Sequence, residues 1–248
     1  MASTLLLAGG LTTSCTSFEV AAQAGYAQLS AEGDVGYRNG ASGGAIAQDI
    51  ESALGLGDDQ GSPYFRGMMD FGVPQLSVSA FQFEDSGSGL LNAEFGDISG
   101  GVTVESQIEM TNIKGAYAFE IGLGPVSLSP GIAVDYFDLS MTVQDQFGAA
   151  TQDVTLSGPV PLAFLRAEVD LGIVRAVAEA GYMEVELDDI EGSLLDVEAQ
   201  LQVHPSDLLE FFVGYRMLNL QVDGEVDGDQ IDTDLTIGGL LIGGGIRF

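Results

Sequence analysis

The chain has 248 residues and is strongly acidic, with 37 Asp and Glu against 7 Lys and Arg and a formal net charge of −30. Nucleic acid is bound largely through basic side chains, so this balance argues against a nucleic-acid partner. One cysteine excludes a disulfide within the chain. The mean hydropathy of +0.24 is high for so acidic a sequence, yet no run of about eighteen apolar residues exists for a transmembrane helix.

The N-terminus is predicted to be a targeting segment. Residues 1–14 are small and apolar and precede Cys15, as at the end of a secretory signal, although no Lys or Arg comes before the apolar run. Cys15 resembles the acceptor cysteine of a bacterial lipoprotein, but Thr12 stands where that motif prefers Leu. Lipidation of Cys15 and a plain signal remnant both stay open, and a single β domain is predicted over 16–248.

Ten strands are predicted from segments in which apolar and polar residues alternate with a period of two. In the first of them, Val20, Ala22, Ala24 and Tyr26 share one face. An even number of strands with alternating short and long connections is typical of bacterial single-chain barrels. The predicted strands are 17–33, 62–72, 76–96, 101–121, 126–145, 150–170, 174–188, 193–204, 208–224 and 230–248.

The connections predict which end of the barrel is which. Those after even strands are short, and three of them carry a proline, Pro74, Pro125 or Pro205. Those after odd strands are longer or acidic, and the longest is predicted over 34–61. Because short turns face the periplasm in such barrels, both termini are predicted to be periplasmic.

The long loop also contains a helix signal. Ile46, Ile50, Ala53 and Leu54 have the i, i+4, i+7, i+8 spacing of one helical face. This pattern predicts a short helix that lies over or in the extracellular mouth.

The last strand carries a family resemblance. Leu240, Ile242, Ile246 and Phe248 share one face, whereas small residues and Arg247 occupy the other. An apolar face that ends in a terminal Phe resembles the last strand of bacterial outer-membrane β-barrels. The resemblance and the patterning imply an all-β fold, a closed antiparallel up-and-down transmembrane barrel of about ten strands. They also imply the bacterial outer membrane as location, with outer-membrane lipids and lipopolysaccharide around it and the barrel-insertion machinery recognising Phe248.

The apolar face changes sides along several strands. In 208–224, Val213 and Tyr215 share a parity with Gln221 and Asp223, while Leu220 lies on the other. A bulge in each strand would explain the change. A single cause explains the change of face in all strands: about 9–11 residues span the bilayer, and these longer strands would pass from lipid below into water above. The upper half is therefore predicted to project above the membrane, acidic outside and apolar inside.

Four tyrosines mark the predicted boundary between the two halves. Tyr26, Tyr136, Tyr182 and Tyr215 lie in similar sequence contexts on ascending strands. They are predicted to form an aromatic girdle at the outer interface.

The lower interior is predicted to hold a network of opposite charges, because six of the seven basic residues fall on its face. Such a network would block a free pore, or it would simply keep the lumen polar. Its predicted members are Arg66, Asp70, Lys114, Asp135, Arg166, Glu168, Arg175, Glu179, Glu210 and Arg216.

The upper interior is predicted to be lined by apolar side chains. It is either a closed core or a pocket for a small apolar molecule such as a lipid or fatty acid, since eight strands already suffice to hold one small ligand. The candidate ligand-binding residues are Phe81, Phe83, Phe95, Met110, Phe137, Leu139, Met141, Met183, Leu218 and Leu220.

Catalytic and metal chemistry is not indicated. A hydrolase needs a base within reach of its nucleophile, but the only histidine, His204, lies beside Pro205 in a predicted periplasmic turn. The acidic segment 223–234 lacks the ligand spacing of an EF-hand and is predicted to be a solvated rim. No catalytic residue, metal site or cofactor is predicted.

The sequence therefore predicts a non-enzymatic outer-membrane barrel. It would be a structural or surface-interaction protein or a carrier of apolar molecules, with a lipid-modifying enzyme or protease as the alternative. Pro130, Pro159 and Pro161 lie inside the fifth and sixth strands and predict either a weakened seam between those two strands or two ordinary bulges.

Overall fold

The computed structural model describes residues 18–40, 44–187, 190–226 and 228–248. The signal-like segment and Cys15 lie outside these residues. Within them no helix is long and apolar enough to cross a membrane. The elements, in chain order, are β1 Glu19–Arg38, β2 Gln48–Asp49, α1 Ile50–Leu54, β3 Gln60–Asp70, β4 Pro74–Leu90, β5 Thr103–Phe119, β6 Ile121–Leu123, β7 Val126–Asp145, β8 Thr151–Asp170, β9 Val174–Leu187, β10 Ile190–Val203, β11 Leu209–Val226 and β12 Asp229–Arg247.

The ten strands other than β2 and β6 form a closed antiparallel up-and-down barrel. Each pairs with its neighbours along the chain, and β12 returns to pair with β1 from Ala21–Arg247 to Arg38–Gln230. Val20 and Phe248 exchange backbone hydrogen bonds of 2.8 and 2.9 Å just below this ladder. The predicted fold class and strand number are therefore confirmed.

The register fixes the tilt of the strands. Cross-strand partners followed around the ring from Ala31 return to β1 at Glu19, twelve residues lower. Twelve residues of about 3.4 Å against ten strand spacings of about 4.8 Å correspond to a tilt of about 40°. That tilt lies in the range of outer-membrane barrels.

The apolar face changes sides without any bulge. The β11–β12 ladder runs from Leu209–Ile246 to Val226–Asp229 with no skipped residue. Below Tyr215 the odd residues of β11 are exposed and apolar, whereas above it Leu218 and Leu220 on the other face are buried. The bulge explanation is wrong, because strict alternation is kept while the surroundings differ between the lower half, which holds Phe18 and Phe248, and the upper half.

Helix α1 lies inside the upper half and closes it. Asp49 caps its N-terminus by accepting a 2.7 Å hydrogen bond from the Ser52 amide. Ile50, Ala53 and Leu54 are completely buried, whereas Ile46, which the spacing places on the same helical face, is 49% exposed and lies outside the helix. A Cβ at Gly87 of β4 would lie 1.8 Å from the carbonyl oxygen of Gly55, the residue after α1, so glycine is required for this close approach. Because β1 extends to Arg38 and β3 begins at Gln60, the connection is shorter than the predicted 34–61.

Candidate functional site

The lower interior is filled by a layer of ion pairs around Arg216. The Arg216 Nη2 atom lies 2.6 Å from Asp196 Oδ2, and Nη1 lies 3.4 Å from Glu198 Oε2. The same guanidinium donates to Ser79 Oγ at 3.0 Å and Asn112 Oδ1 at 2.9 Å. Since the Arg216 side chain is 1% exposed, its charge is compensated almost wholly by these groups.

The other interior basic residues extend this layer across the barrel. All six that the sequence places inside pair with carboxylates, and Arg247 connects the layer to Glu19 at the lower end. The remaining pairs are Arg66 with Glu179 and Glu198, Lys114 with Asp196, Arg166 with Glu168 and Glu179, Arg175 with Glu19, Glu168 and Asp170, and Arg247 with Glu19.

Three predicted members of the network have other partners. Asp70 accepts hydrogen bonds from the Gly72 amide at 2.6 Å and from Gln75 at 2.9 Å. Asp135 accepts from the Asn112 amide group. Glu210 lies 3.2 Å from His204 Nε2. Among the described side chains, these three carboxylates form no pair with Lys or Arg.

Two central carboxylates were not identified from the sequence. Asp196 and Glu198 of β10 are 0% and 1% exposed, and each contacts two basic residues. The sequence predicts this strand, but the predicted network follows the basic residues, and β10 contains none. Apolar Val197, Ala199 and Leu201 alternate with these carboxylates along the strand, and that alternation is the signal that could have located both of them on the interior face.

The upper interior is an apolar core above this layer. Nine of the ten candidate ligand-binding side chains are buried in one cluster, and Met183 packs against it half-buried. Ile50 and Leu54 of α1 belong to the same cluster. The Arg216 guanidinium lies 4.7 Å from the centre of the Phe81 ring, where the charged layer meets the core. The structure thus brings the predicted apolar residues together and fills much of their space with side chains.

At the mouth above this core, hydrogen bonds join the end of β1 to neighbouring parts of the barrel. Tyr37 Oη donates a 2.5 Å hydrogen bond to Asp229 Oδ2, and the Gly96 amide donates to the Tyr37 carbonyl at 2.9 Å. Burial raises the pKa of Tyr37 to about 12, and the hydrogen bond to Asp229 adds to the rise. The same bond lowers the pKa of Asp229. Asn39 reaches Gln152 of the β7–β8 hairpin at 3.4 Å, so three connections meet over the barrel.

Both alternatives for the prolines of the fifth and sixth strands, a weakened seam and two bulges, are wrong, because these strands, β7 and β8, stay paired throughout without a skipped residue. Their ladder runs from Val126–Val169 to Gln144–Thr151 and includes Pro159 and Pro161. The ladder that stops is the next one. β8 and β9 pair only from Asp170–Arg175 up to Ala163–Tyr182, although both strands continue above that point.

The direction of the proline nitrogens explains where the seam opens. The Asp170 amide donates to the Pro125 carbonyl, just before β7, whereas the Leu171 amide donates to the carbonyl of Val174, the first residue of β9. Odd residues of β8 therefore direct their backbone groups toward β9. Pro159 and Pro161 are the next two odd positions above Ala163, and neither has an N–H to donate.

His204 lies at the lower end of the barrel, in the connection between β10 and β11. Its Nε2 atom lies 3.2 Å from both Glu210 Oε2 and Arg247 Nη1, close to the chain terminus. The tyrosines predicted for the girdle lie at the top of the exposed apolar band and are 43% to 57% exposed. In the part of the chain that the structure describes, no group of three His, Cys, Asp or Glu side chains could hold a metal ion.

No family model and no curated protein matches this chain. Among solved structures, the chain is similar to the outer membrane protease OmpT from Escherichia coli, with a TM-score of 0.61 and 10% identity over 96% of this chain and 100% of that one. It also matches the translocator domain of the autotransporter NalP from Neisseria meningitidis, with a TM-score of 0.43 and 14% identity over 96% of this chain and 91% of that one. A third match is the attachment invasion locus protein Ail of Yersinia pestis, with a TM-score of 0.37 and 13% identity over 93% and 99%. At such identities the likeness to OmpT establishes the fold alone, and that fold is the bacterial outer-membrane type of β-barrel.

Proposed function

We propose that this chain is a non-enzymatic protein of the bacterial outer membrane that acts through its extracellular surface. The observation that carries the proposal is the double closure of the barrel, by the buried ion pairs around Arg216 below and by the apolar core with α1 above. A lumen occupied in this way offers no continuous water-filled path for solutes. The outer wall is then the surface left for function.

The proposed orientation places both termini in the periplasm and the upper half outside the cell. It is supported by the exposed apolar band below the tyrosines and by the acidic side chains above them. Outer-membrane lipids and lipopolysaccharide would surround the band, and the insertion machinery would recognise Phe248. Lipidation of Cys15 stays a prediction.

The extracellular wall favours cationic partners. Arg38 is the one basic residue of the upper half, and it contacts Glu94. Along the wall, carboxylates face each other across neighbouring strands, as Glu84 and Glu109 do on β4 and β5. Burial and the neighbouring Asp223 raise the pKa of Asp232. This concentration of negative charge would attract basic groups at low salt.

Planar-bilayer recording and native mass spectrometry test this proposal on the same purified protein. We expect no steady open-channel current, whereas an outer-membrane porin reconstituted in parallel should conduct. We expect the intact mass of the barrel without a bound molecule after gentle detergent extraction. A large, steady conductance would refute the closed lumen.

A carrier of apolar molecules is the second candidate. It is favoured by Leu156, Val160 and Met183, which face the interior and are half-buried beside the open β8–β9 seam. A lipid or fatty acid that co-purifies at one copy per barrel would support this role over the surface role. An enzymatic role would require a catalytic activity that is lost when a catalytic residue is replaced. His204 is the only histidine that could act as a base, and we expect His204→Ala to leave any activity of the purified protein unchanged.

A further inference from the structure

We propose that the open edge of β9 binds one extended peptide segment of a partner protein as an added strand. The segment would present basic side chains outward and apolar side chains inward. The inference deepens the proposed surface role and rests on it, because it names the site and the chemistry of the partner.

The backbone of β9 supplies the docking groups. Ala163 and Tyr182 form the last pair of the β8–β9 ladder, and the even residues of β9 direct their N–H and C=O groups toward β8. Glu184 and Glu186 therefore present two donors and two acceptors above the end of the ladder, and the described residues place no strand against them. Unpaired backbone groups on a strand edge are a template for a further strand.

The prolines keep this edge open. If the register continued upward, Pro161 and Pro159 would lie opposite Glu184 and Glu186. Each proline lacks the N–H that the ladder requires there, so β8 remains with β7 and cannot pair with the free edge of β9. A peptide without proline has a backbone N–H at each of these positions and can donate to β9.

The side chains at the seam specify alternation in the peptide. Inward, Val160 and Met183 are half-buried and offer an apolar surface. Outward, Glu184 and Glu186 are exposed on β9. A strand with apolar residues on one face and Lys or Arg on the other would match both surfaces. A second copy of this chain fits poorly, because its own Glu184 and Glu186 would meet the same carboxylates.

The probe is a fluorescent seven-residue peptide in which Lys and Val alternate, beginning and ending with Lys. Binding to the full barrel in detergent and in lipid nanodiscs is measured by fluorescence anisotropy. Two control peptides keep the same charge: a scrambled peptide of equal composition, and an alternating peptide N-methylated at every second amide. We expect each control to bind at least tenfold more weakly, and binding to weaken as salt is raised.

Closing the seam supplies the matched protein test. Pro159→Thr together with Pro161→Thr restores the two missing donors and should let the ladder continue, which slower hydrogen exchange at the Glu184 and Glu186 amides would report. We expect the affinity for the alternating peptide to fall at least tenfold. Pro130→Thr is the control, because the Pro130 nitrogen faces β5. We expect the affinity of this variant for the alternating peptide to stay within twofold of that of the wild type.

A reversible disulfide across the seam tests the same point if the β8–β9 ladder does not extend in the double proline variant. Continuing the register places Val160 opposite Val185, so cysteines at these two positions in a Cys15→Ser background can form a disulfide across the seam. Binding should be lost on oxidation and restored on reduction.

Several outcomes overturn the proposal. Equal binding of the scrambled or N-methylated peptide would show attraction to the acidic wall without an added strand, and unchanged binding after closure would remove the seam as the site. Displacement of the peptide by fatty acid or phospholipid would favour a lipid site at the seam instead. Because peptide binding is read separately from conductance, a barrel that conducts but binds the peptide would refute only the closed lumen.

Discussion

Replacing Arg216 with methionine removes the central charge of the lower interior while retaining much of the side-chain volume. Asp196 loses a 2.6 Å contact and keeps Lys114 at 2.8 Å. Glu198 loses a 3.4 Å contact and keeps Arg66 at 2.5 Å. The Lys and Arg ion pairs of the lower interior then comprise five basic side chains and six carboxylates, so one more negative charge is uncompensated where Asp196 and Glu198 are almost completely buried.

The expected cost follows from this burial. Breaking a buried ion pair by removing one partner costs about 3–5 kcal/mol, because the remaining charge stays desolvated. Loss of the contact between the guanidinium and the Phe81 ring adds about 1 kcal/mol. We therefore expect Arg216→Met to lose about 4 kcal/mol of the free energy of unfolding, with partial relief from the remaining basic partners.

Urea unfolding in lipid vesicles, followed by circular dichroism because the chain has no Trp, measures the loss. Arg38→Met is the matched control. The Arg38 side chain is 32% exposed where it meets Glu94, and such a surface pair contributes about 0–1 kcal/mol. A loss for Arg216→Met no larger than that for Arg38→Met would refute a closed, ion-paired interior.

Charge balance provides a rescue. Asp135 accepts from Asn112, which in turn accepts from Arg216, and Asp135 has no basic partner among the described residues. Adding Asp135→Asn to Arg216→Met removes one negative charge from the same group. We expect the double variant to be more stable than Arg216→Met alone, which mere loss of packing would not explain.

Two further predictions concern the upper half. Leu218→Asp places a charge at a 3% exposed site and should lower the free energy of unfolding by at least about 3 kcal/mol. Met183→Lys should lower it by about 1 kcal/mol or less, because a long side chain at the seam can reach water. Equal midpoints in urea for Leu218→Asp and wild type would contradict the apolar core. Tyr37→Phe should lose about 1 kcal/mol with its hydrogen bond. Because the pKa of Tyr37 is raised to about 12, its contribution is fully present below about pH 10 and is lost as the pH approaches 12, so the urea midpoints of wild type and Tyr37→Phe should converge over that range.

The barrel was predictable from the sequence because lipid-facing strands alternate strictly. The terminal strand through Phe248 and the change of face around Tyr215 are both properties of single strands, and neither needs knowledge of a distant partner. The helical spacing of Ile50 and Leu54 is likewise a property of the segment alone, and it predicts a helix where α1 lies.

Features that depend on the partner strand were not predictable to the same degree. The open seam was assigned to the wrong side of β8, because a proline in a sequence does not state which neighbour its nitrogen faces. One hydrogen bond, from the Asp170 amide to the Pro125 carbonyl, settles that direction for the whole strand. Asp196 and Glu198 alternate strictly with apolar residues along β10 and could have been placed on the interior face from the sequence, but the predicted network follows the basic residues, and β10 contains none.

The change of surroundings with height can be tested by placing the same charge on one strand at two levels. Ile132 and Ser140 of β7 lie four residues below and above Tyr136 on the same outer face. Ile132 is 66% exposed in the apolar band, so Ile132→Arg should cost about 2–4 kcal/mol in a bilayer. Ser140 lies opposite Glu109 of β5, so Ser140→Arg should be neutral or slightly stabilising through a cross-strand pair. Equal costs for the two variants in vesicles would mean that both levels of β7 meet the same medium, and the upper half would then not project above the membrane.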